Sequence, residues 1–209
     1  MTEPARAGSF GAPLALRMGM TRFLTRTRSQ TGTSLLEMLL VVAIMAVVGG
    51  MATARLSSAL RAIQSDGAMR IVMTELSTAR DMAMTQRRNM EIQFVGGNWV
   101  RVIRHEAPGV ATTVLRSVAL ESNATFSLAA GVPDTPDAFG NNGAVAFGAA
   151  QTVMFGTDGT LIDANGNPAN GSVFLTIASE PLSARAVTVL GATGRVRGYK
   201  WYGTGWIRV

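Results

Sequence analysis

The chain contains no cysteine. Disulfides, thiol catalysis and cysteine-ligated metal sites are therefore excluded. An extracytoplasmic location is not, because a domain of this size can be held by its apolar core alone. Histidine is nearly absent too. His105 is the single one, with no histidine partner, and Glu106 beside it on a strand points to the opposite face. A metal site or proton relay through it has little support. Proline is sparse, at 7 residues, against 23 glycines, which fits strands and turns better than a disordered tail. No phosphate-binding glycine loop and no serine in a nucleophile elbow is present. These absences point to a protein that is not an enzyme, with no cofactor, no metal and no small-molecule substrate.

Charge of one sign is in excess, but unevenly. The formal net charge is +6. Arg6, Arg17, Arg22, Arg26 and Arg28 stand against Glu3 alone within residues 1–32. Most of the imbalance therefore lies ahead of residue 33, and the remainder is nearly neutral. A positive segment in front of an apolar run keeps that flank cytoplasmic. The overall charge is thus weak evidence for nucleic-acid binding.

Long apolar runs are also scarce. The only one extends from Met38 to Ala54, and Leu35 and Leu36 precede it. About 20 residues at 1.5 Å each match a hydrocarbon core of roughly 30 Å. A core helix of a soluble protein is disfavoured, because nothing later in the chain could enclose a helix apolar on every side. A cleaved secretory signal is the stronger rival. Its only candidate cut is Ala52-Thr53-Ala54, and the helical pattern runs on past Leu56 without a break.

Glu37 is the anomaly. A carboxylate near the start of a membrane helix is unfavourable by several kcal/mol unless offset. The helix N-terminus offsets part of this. A nearby cation would offset more. If the chain were cut after Gly32, the new amino group on Thr33 would lie four residues from Glu37. It could also pair with Glu37 of a neighbouring subunit. An interfacial glutamate with no role is the alternative.

Thr31-Gly32-Thr33-Ser34-Leu35-Leu36-Glu37 followed by the apolar run resembles the signal of type IV prepilins and type II secretion pseudopilins. The resemblance implies cleavage after Gly32 by an aspartate-type prepilin peptidase on the cytoplasmic side. It implies N-methylation of Thr33 as the mature N-terminus and a role for Glu37 in subunit assembly. The family usually has Phe where Thr33 stands, and Thr where Ser34 stands. Met18 and Met20 are alternative starts to Met1, leaving a short basic leader. Farther along, Ala79–Phe94 (ARDMAMTQRRNMEIQF), a strand-rich body and Gly194-Arg195-Val196-Arg197 resemble the GspH/FimT group of minor pseudopilins. The implied partners are other pilins or pseudopilins of one filament and an inner-membrane assembly platform. The implied location is the bacterial inner membrane, single-pass, with the C-terminal domain periplasmic and then incorporated into a pseudopilus.

The expected class is α+β: a long N-terminal transmembrane and amphipathic helix packed on an antiparallel sheet domain. Residues 1–32 would be the leader, 33–55 the membrane helix, 56–88 its amphipathic continuation and 89–209 the β-rich extracytoplasmic domain. Ala68, Val72, Leu76, Ala79 and Ala83 recur at helical spacing. Alternation or composition marks strands at 90–94, 99–104, 112–120, 125–128, 151–155, 172–178, 185–190, 195–199 and 206–209. The strands from Gln151 onward read as a second small sheet. Residues 129–150 carry two prolines and four glycines and read as an irregular loop, either a surface-contact loop or an inert excursion.

Two clusters need weighing. Asp158, Asp163, Asn165 and Asn167 suggest a calcium loop, but the spacing does not fit and the same residues make tight turns. Arg195 and Arg197 alternate on one face of a strand, with Arg185, Lys200, Arg208, Trp201, Tyr202 and Trp206 nearby in sequence. Arginine pairs with phosphate and aromatic rings stack on bases, so Arg195, Arg197 and Lys200 are candidate DNA contacts. Some members on the FimT side of the family are thought to take up DNA through a similar stretch. The alternative is structural: Gly194 ends a turn, and Arg195 packs over it, paired with Asp158 or Glu180.

The reading preferred from sequence is a minor pseudopilin of a type II secretion pseudopilus. A DNA-uptake minor pilin and a surface-adhesive minor pilin using residues 129–150 are the rivals.

Overall fold

The computed structural model describes residues 34–147 and 152–209. Gly32 and Thr33 lie outside the described residues, as does the leader. Helix α1 is Leu35–Gln86, 52 residues. Its first part, Leu35–Thr53, is 19 residues long and apolar enough to cross a membrane, and none of it is buried. Leaving a large aliphatic side chain in water forgoes roughly 1.5–3 kcal/mol, so exposure of this stretch to water is unfavourable.

From Ser65 onward the same helix has a buried face. Ala68, Met69, Val72, Leu76, Ala79 and Ala83 are enclosed, following the 3.6-residue period. The helix ends where Arg87 turns left-handed (φ 49°) and the Arg88 amide reaches back to the Ala83 carbonyl at 3.3 Å. That closure, two residues before the first strand, satisfies one of the terminal carbonyls.

The strands are β1 Met90–Val95, β2 Trp99–His105, β3 Thr112–Ala119, β4 Ala124–Thr125, β5 Val145–Ala146, β6 Thr152–Phe155, β7 Leu161–Ile162, β8 Gly171–Ile177, β9 Arg185–Leu190, β10 Arg195–Trp201 and β11 Trp206–Arg208, with a 3₁₀ turn at Pro181–Ser183. They form two antiparallel sheets. The first has the order β3-β2-β1-β6-β7 and the second β11-β10-β9-β8-β4, with β5 also on β8. The expected α+β architecture is the one observed. The expected split after Gln151 is not. Strands β6 and β7 join the first sheet through pairs such as Met90–Phe155. Strands β4 and β5 join the second through Ala124–Ile177 and Val145–Val173. Short strands carry too little alternation to reveal which sheet they will extend.

Both sheets pack on α1. Met90, Ile92, Val100 and Val102 of the first, and Val173, Leu175, Val187 and Val189 of the second, share one core with the helix. Gly198 permits a close approach: a Cβ there would lie 2.7 Å from the Met73 sulfur. Gly171 likewise leaves room for the Phe147 ring, which a Cβ would meet at 1.9 Å.

The sheets differ on their other faces. The first leaves Trp99 and Val114 exposed. The second is covered by the segment after β4. Ala129 and Val132 pack with Trp201, and Leu128 packs with Phe174, Ala186 and Tyr199. Trp206 donates its indole N–H to the Pro133 carbonyl at 3.0 Å. Residues 129–140 are thus a strap over the second sheet, and neither an inert excursion nor a free loop; residues 148–150 lie outside the described residues.

Candidate functional site

The first candidate is the start of α1. Ser34 precedes the helix, and its carbonyl accepts the amides of Glu37 at 2.9 Å and Met38 at 3.1 Å. Glu37 therefore sits in the first turn, where unpaired amides favour negative charge. Its side chain is exposed.

The second candidate is the Gly194–Arg197 stretch and its surroundings. Arg195, Arg197 and Lys200 all lie on β10 but do not form one patch. Arg195 and Arg197 share a face by strand alternation, whereas Lys200 is on the helix side. Arg197 is paired with Asp137 of the strap. Thr188 donates to the same carboxylate at 2.6 Å and the Tyr199 hydroxyl at 2.9 Å. Burial would raise the Asp137 carboxyl, but hydrogen bonds from Thr188 and Tyr199 and the Arg197 charge outweigh it and hold it below the ordinary carboxylate range. Burial and the same carboxylate push the Tyr199 hydroxyl up.

Lys200 pairs with Asp66 of α1. Arg185, only 2% exposed, joins it there, with Nε donating to Asp66 at 2.6 Å. The rest of the Arg185 guanidinium donates to the carbonyls of Ala184 at 2.8 Å, Ala62 at 3.0 Å and Leu182 at 3.2 Å. Burial again opposes ionisation of Asp66, and the hydrogen bonds from Lys200 and Arg185 prevail, lowering its pKa. Arg185 is thus a buried clasp between helix and sheet, and Arg208 lies on the separate strand β11.

Of the three candidate DNA contacts, Arg195 alone is exposed and outside the ion pairs formed among the described residues. It does not pair with Asp158 or Glu180. Asp158 accepts the Thr160 hydroxyl at 2.7 Å within its own turn, and Glu180 pairs with Arg61 at 2.5 Å. The arginine packed on the turn is Arg80, whose Nε donates to the carbonyls of Gly159 and Thr193 at 3.2 Å each. Gly194 (φ +61°) is required there. A Cβ would come within 2.1 Å of the Gly159 carbonyl and 2.7 Å of Arg80 Nε. A cavity of about 460 Å³ beside this turn is lined by Ser77, Arg80, Leu190 and Thr193–Val196.

The acidic turn residues are occupied by their own backbones. The Asp163 carboxylate accepts the amides of Asn165 and Asn167, both at 2.9 Å. No cluster able to hold a metal occurs among the described residues. His105 has a partner the sequence did not reveal: its Nε2 lies 2.7 Å from Glu91 Oε2, across the β1–β2 ladder. A diagonal pair on one sheet face is only visible once register is known.

No family model matches the chain, and no curated protein matches it. Among solved structures it is similar to the type IV minor pilin FimU of Pseudomonas aeruginosa, at 18% identity and a TM-score of 0.44. That match covers 63% of this chain and 84% of that one. A second crystal form of the same pilin gives 19% identity, a TM-score of 0.44 and coverages of 64% and 90%. The minor pseudopilin EpsH from the type 2 secretion system of Vibrio cholerae gives 15% identity, a TM-score of 0.41 and coverages of 65% and 94%.

Proposed function

We propose that this chain is a minor pilin-type structural subunit, made as a precursor and cleaved after Gly32. It is N-methylated on Thr33, anchored in the inner membrane by the first part of α1 and then drawn into a filament. The observation that carries the reading is the Thr31–Glu37 pattern set directly before an apolar helix that none of the described residues covers. Such a helix has two stable surroundings, lipid before assembly and the helices of other subunits after it. Glu37, one turn into that helix, needs a cation when lipid or protein surrounds it. The Thr33 amino group of its own or a neighbouring chain supplies one.

Within this reading the subunit serves a type II secretion pseudopilus, with a prepilin peptidase and an inner-membrane platform as further partners. The DNA-uptake alternative has less support, because Arg197 and Lys200 already hold carboxylates. The adhesive alternative also has less, because much of the 129–150 segment is engaged in covering a sheet.

Glu37→Ala should leave cleavage intact, read by N-terminal sequencing, while filament incorporation falls at least tenfold, about 1.4 kcal/mol of lost pairing. Normal incorporation of the variant would end the assembly role for Glu37. Retention of residues 1–32 in the membrane-resident protein would end the precursor reading.

A further inference from the structure

The cavity at the lower end of the second sheet has no role in the reading above. It measures about 280 Å³ and is lined by Ala59, Ala62, Leu182, Arg185, Lys200, Trp201 and Tyr202. Its charge is unbalanced. Two cations, Arg185 and Lys200, share the single carboxylate of Asp66, and the neighbouring Arg61 is matched by Glu180. Four of the five Arg185 N–H donors are taken by acceptors. Lys200 is less engaged: its ammonium has three N–H donors, with Asp66 its acceptor among the described residues. One positive charge with donors to spare therefore faces a cavity walled by tryptophan, tyrosine and leucine.

The place of this cavity along α1 is informative. The apolar stretch ends at Thr53, and Ala59 and Ala62 follow by about 9 and 14 Å at the helical rise. The polar zone of a bilayer extends roughly 5–8 Å beyond the hydrocarbon on each side. The helix does not become polar at Thr53 on every side. Leu56, Leu60 and Ile63 are 59%, 48% and 68% exposed, and their spacing puts them along one side, next to the side carrying Ala59 and Ala62. Burying that stripe draws the helix deeper by up to several residues. The cavity mouth, with exposed Leu182 and Tyr202, then comes level with the headgroups. Aromatic rings and lysine in that layer are what an interface selects.

We propose that this cavity is a phospholipid headgroup site, in which Lys200 holds the lipid phosphate and Leu182, Trp201 and Tyr202 contact the glycerol and upper acyl region. The inference rests on the membrane-anchored reading of α1. The shared chemistry is a phosphate; the source argued for is the leaflet from which the helix emerges, because an apolar wall beside the cation suits a lipid and not a free ion.

The test uses the full chain in phosphatidylcholine nanodiscs doped with phosphatidylglycerol. A photo-crosslinking phenylalanine analogue replaces Tyr202, and adducts are identified by mass spectrometry. The expected result is a lipid adduct that falls about fivefold in Lys200→Gln, the effect of one basic side chain at an anionic surface, and persists in Lys200→Arg. The same crosslinker at Val110, in the turn beyond the Arg104–Gln86 contact at the far end of α1, should give no lipid adduct.

Carbonate-resistant association is measured in parallel. A chain that inserts yet gives no adduct, or one indifferent to Lys200→Gln, overturns the headgroup site and leaves the anchor standing. A chain that does not insert overturns both. Loss of the adduct to millimolar inorganic phosphate identifies a free-anion site and overturns the lipid assignment. An adduct to a second protein chain identifies a subunit contact and does the same.

Discussion

The two sheets share a helix and a core but meet their surroundings differently. In the first sheet the strands keep one face on α1 and turn the other outward, where Trp99 and Val114 are exposed. In the second, all seven residues of β8 and the first five of β9 are buried. The difference comes from the strap, which spreads Ala129, Val132 and Leu128 over the outer face and is fastened at Asp137. A sheet with one free face can meet a partner there. A sheet closed on both faces has become interior, and the charged groups at its margins, Asp137 with Arg197 and Asp66 with Arg185 and Lys200, act as fasteners.

Breaking the fasteners and fillers should sort the two sheets by effect. Arg185→Ala should be among the largest losses, about 3–5 kcal/mol in denaturant unfolding of the full chain, since it removes one partner of a buried ion pair together with its hydrogen bonds to three carbonyls, leaving Asp66 to Lys200 alone. Arg185→Met combined with Asp66→Leu and Lys200→Met should recover much of that loss, because it replaces all three members of the ion cluster with apolar groups. Phe174→Ala, on the strapped outer face and 1% exposed, should follow closely at about 3 kcal/mol or more. Asp137→Asn should remove about 1.5–3 kcal/mol, the range for hydrogen bonds to a charged group, and should raise protease cutting within 129–140.

Acid should act through the same carboxylates. Asp66 and Asp137 both titrate lower in the fold than free. Their contribution is therefore complete above the ordinary aspartate value and is lost as pH falls through their folded values, below about pH 4. The acid limb of a stability–pH curve should become shallower in Asp137→Asn. The smallest effect belongs to the open face of the first sheet. Trp99→Ala should change stability by no more than about 0.5 kcal/mol. A loss comparable with that of Phe174→Ala would mean that the two outer faces are not different in kind.

The helix and most strands were legible because their periods are local. Ala68, Val72, Leu76, Ala79 and Ala83 repeat at helical spacing, and all five are buried. The alternation in 99–104 separates Val100 and Val102, both buried, from exposed Trp99 and Arg101; Ile103, which shares the Trp99 face by parity, is buried instead, at a register shift after Val102. The side of Lys200 was also legible: it is an odd number of residues from Arg195 and Arg197, and parity alone puts it across the sheet. The strap was not. Its anchor joins Asp137 to Arg197 and Tyr199 across sixty and sixty-two positions, and glycine and proline hide its few apolar contacts. One signal was available in Val173-Phe174-Leu175, a contiguous apolar run of the kind a strand covered on both faces requires. Arg185 was unreadable as a core residue, because an arginine is buried only where several acceptors converge.

The Arg185 clasp also sets an order of events. Asp66 and Arg185 are 119 positions apart, and Ala62 and Arg185 are 123 apart. In a chain delivered N-terminus first, α1 is complete long before its clasp has been made. Closing so long a loop is slow relative to forming helix or hairpin. The part of the helix that faces the second sheet must therefore wait until β9 emerges, although β1 and β2 of the first sheet are available much earlier. Contacts made that late act mainly on the way out of the native state: Arg185→Ala should accelerate unfolding far more than it slows folding, so that the clasp functions as a timer on how long an assembled domain stays closed.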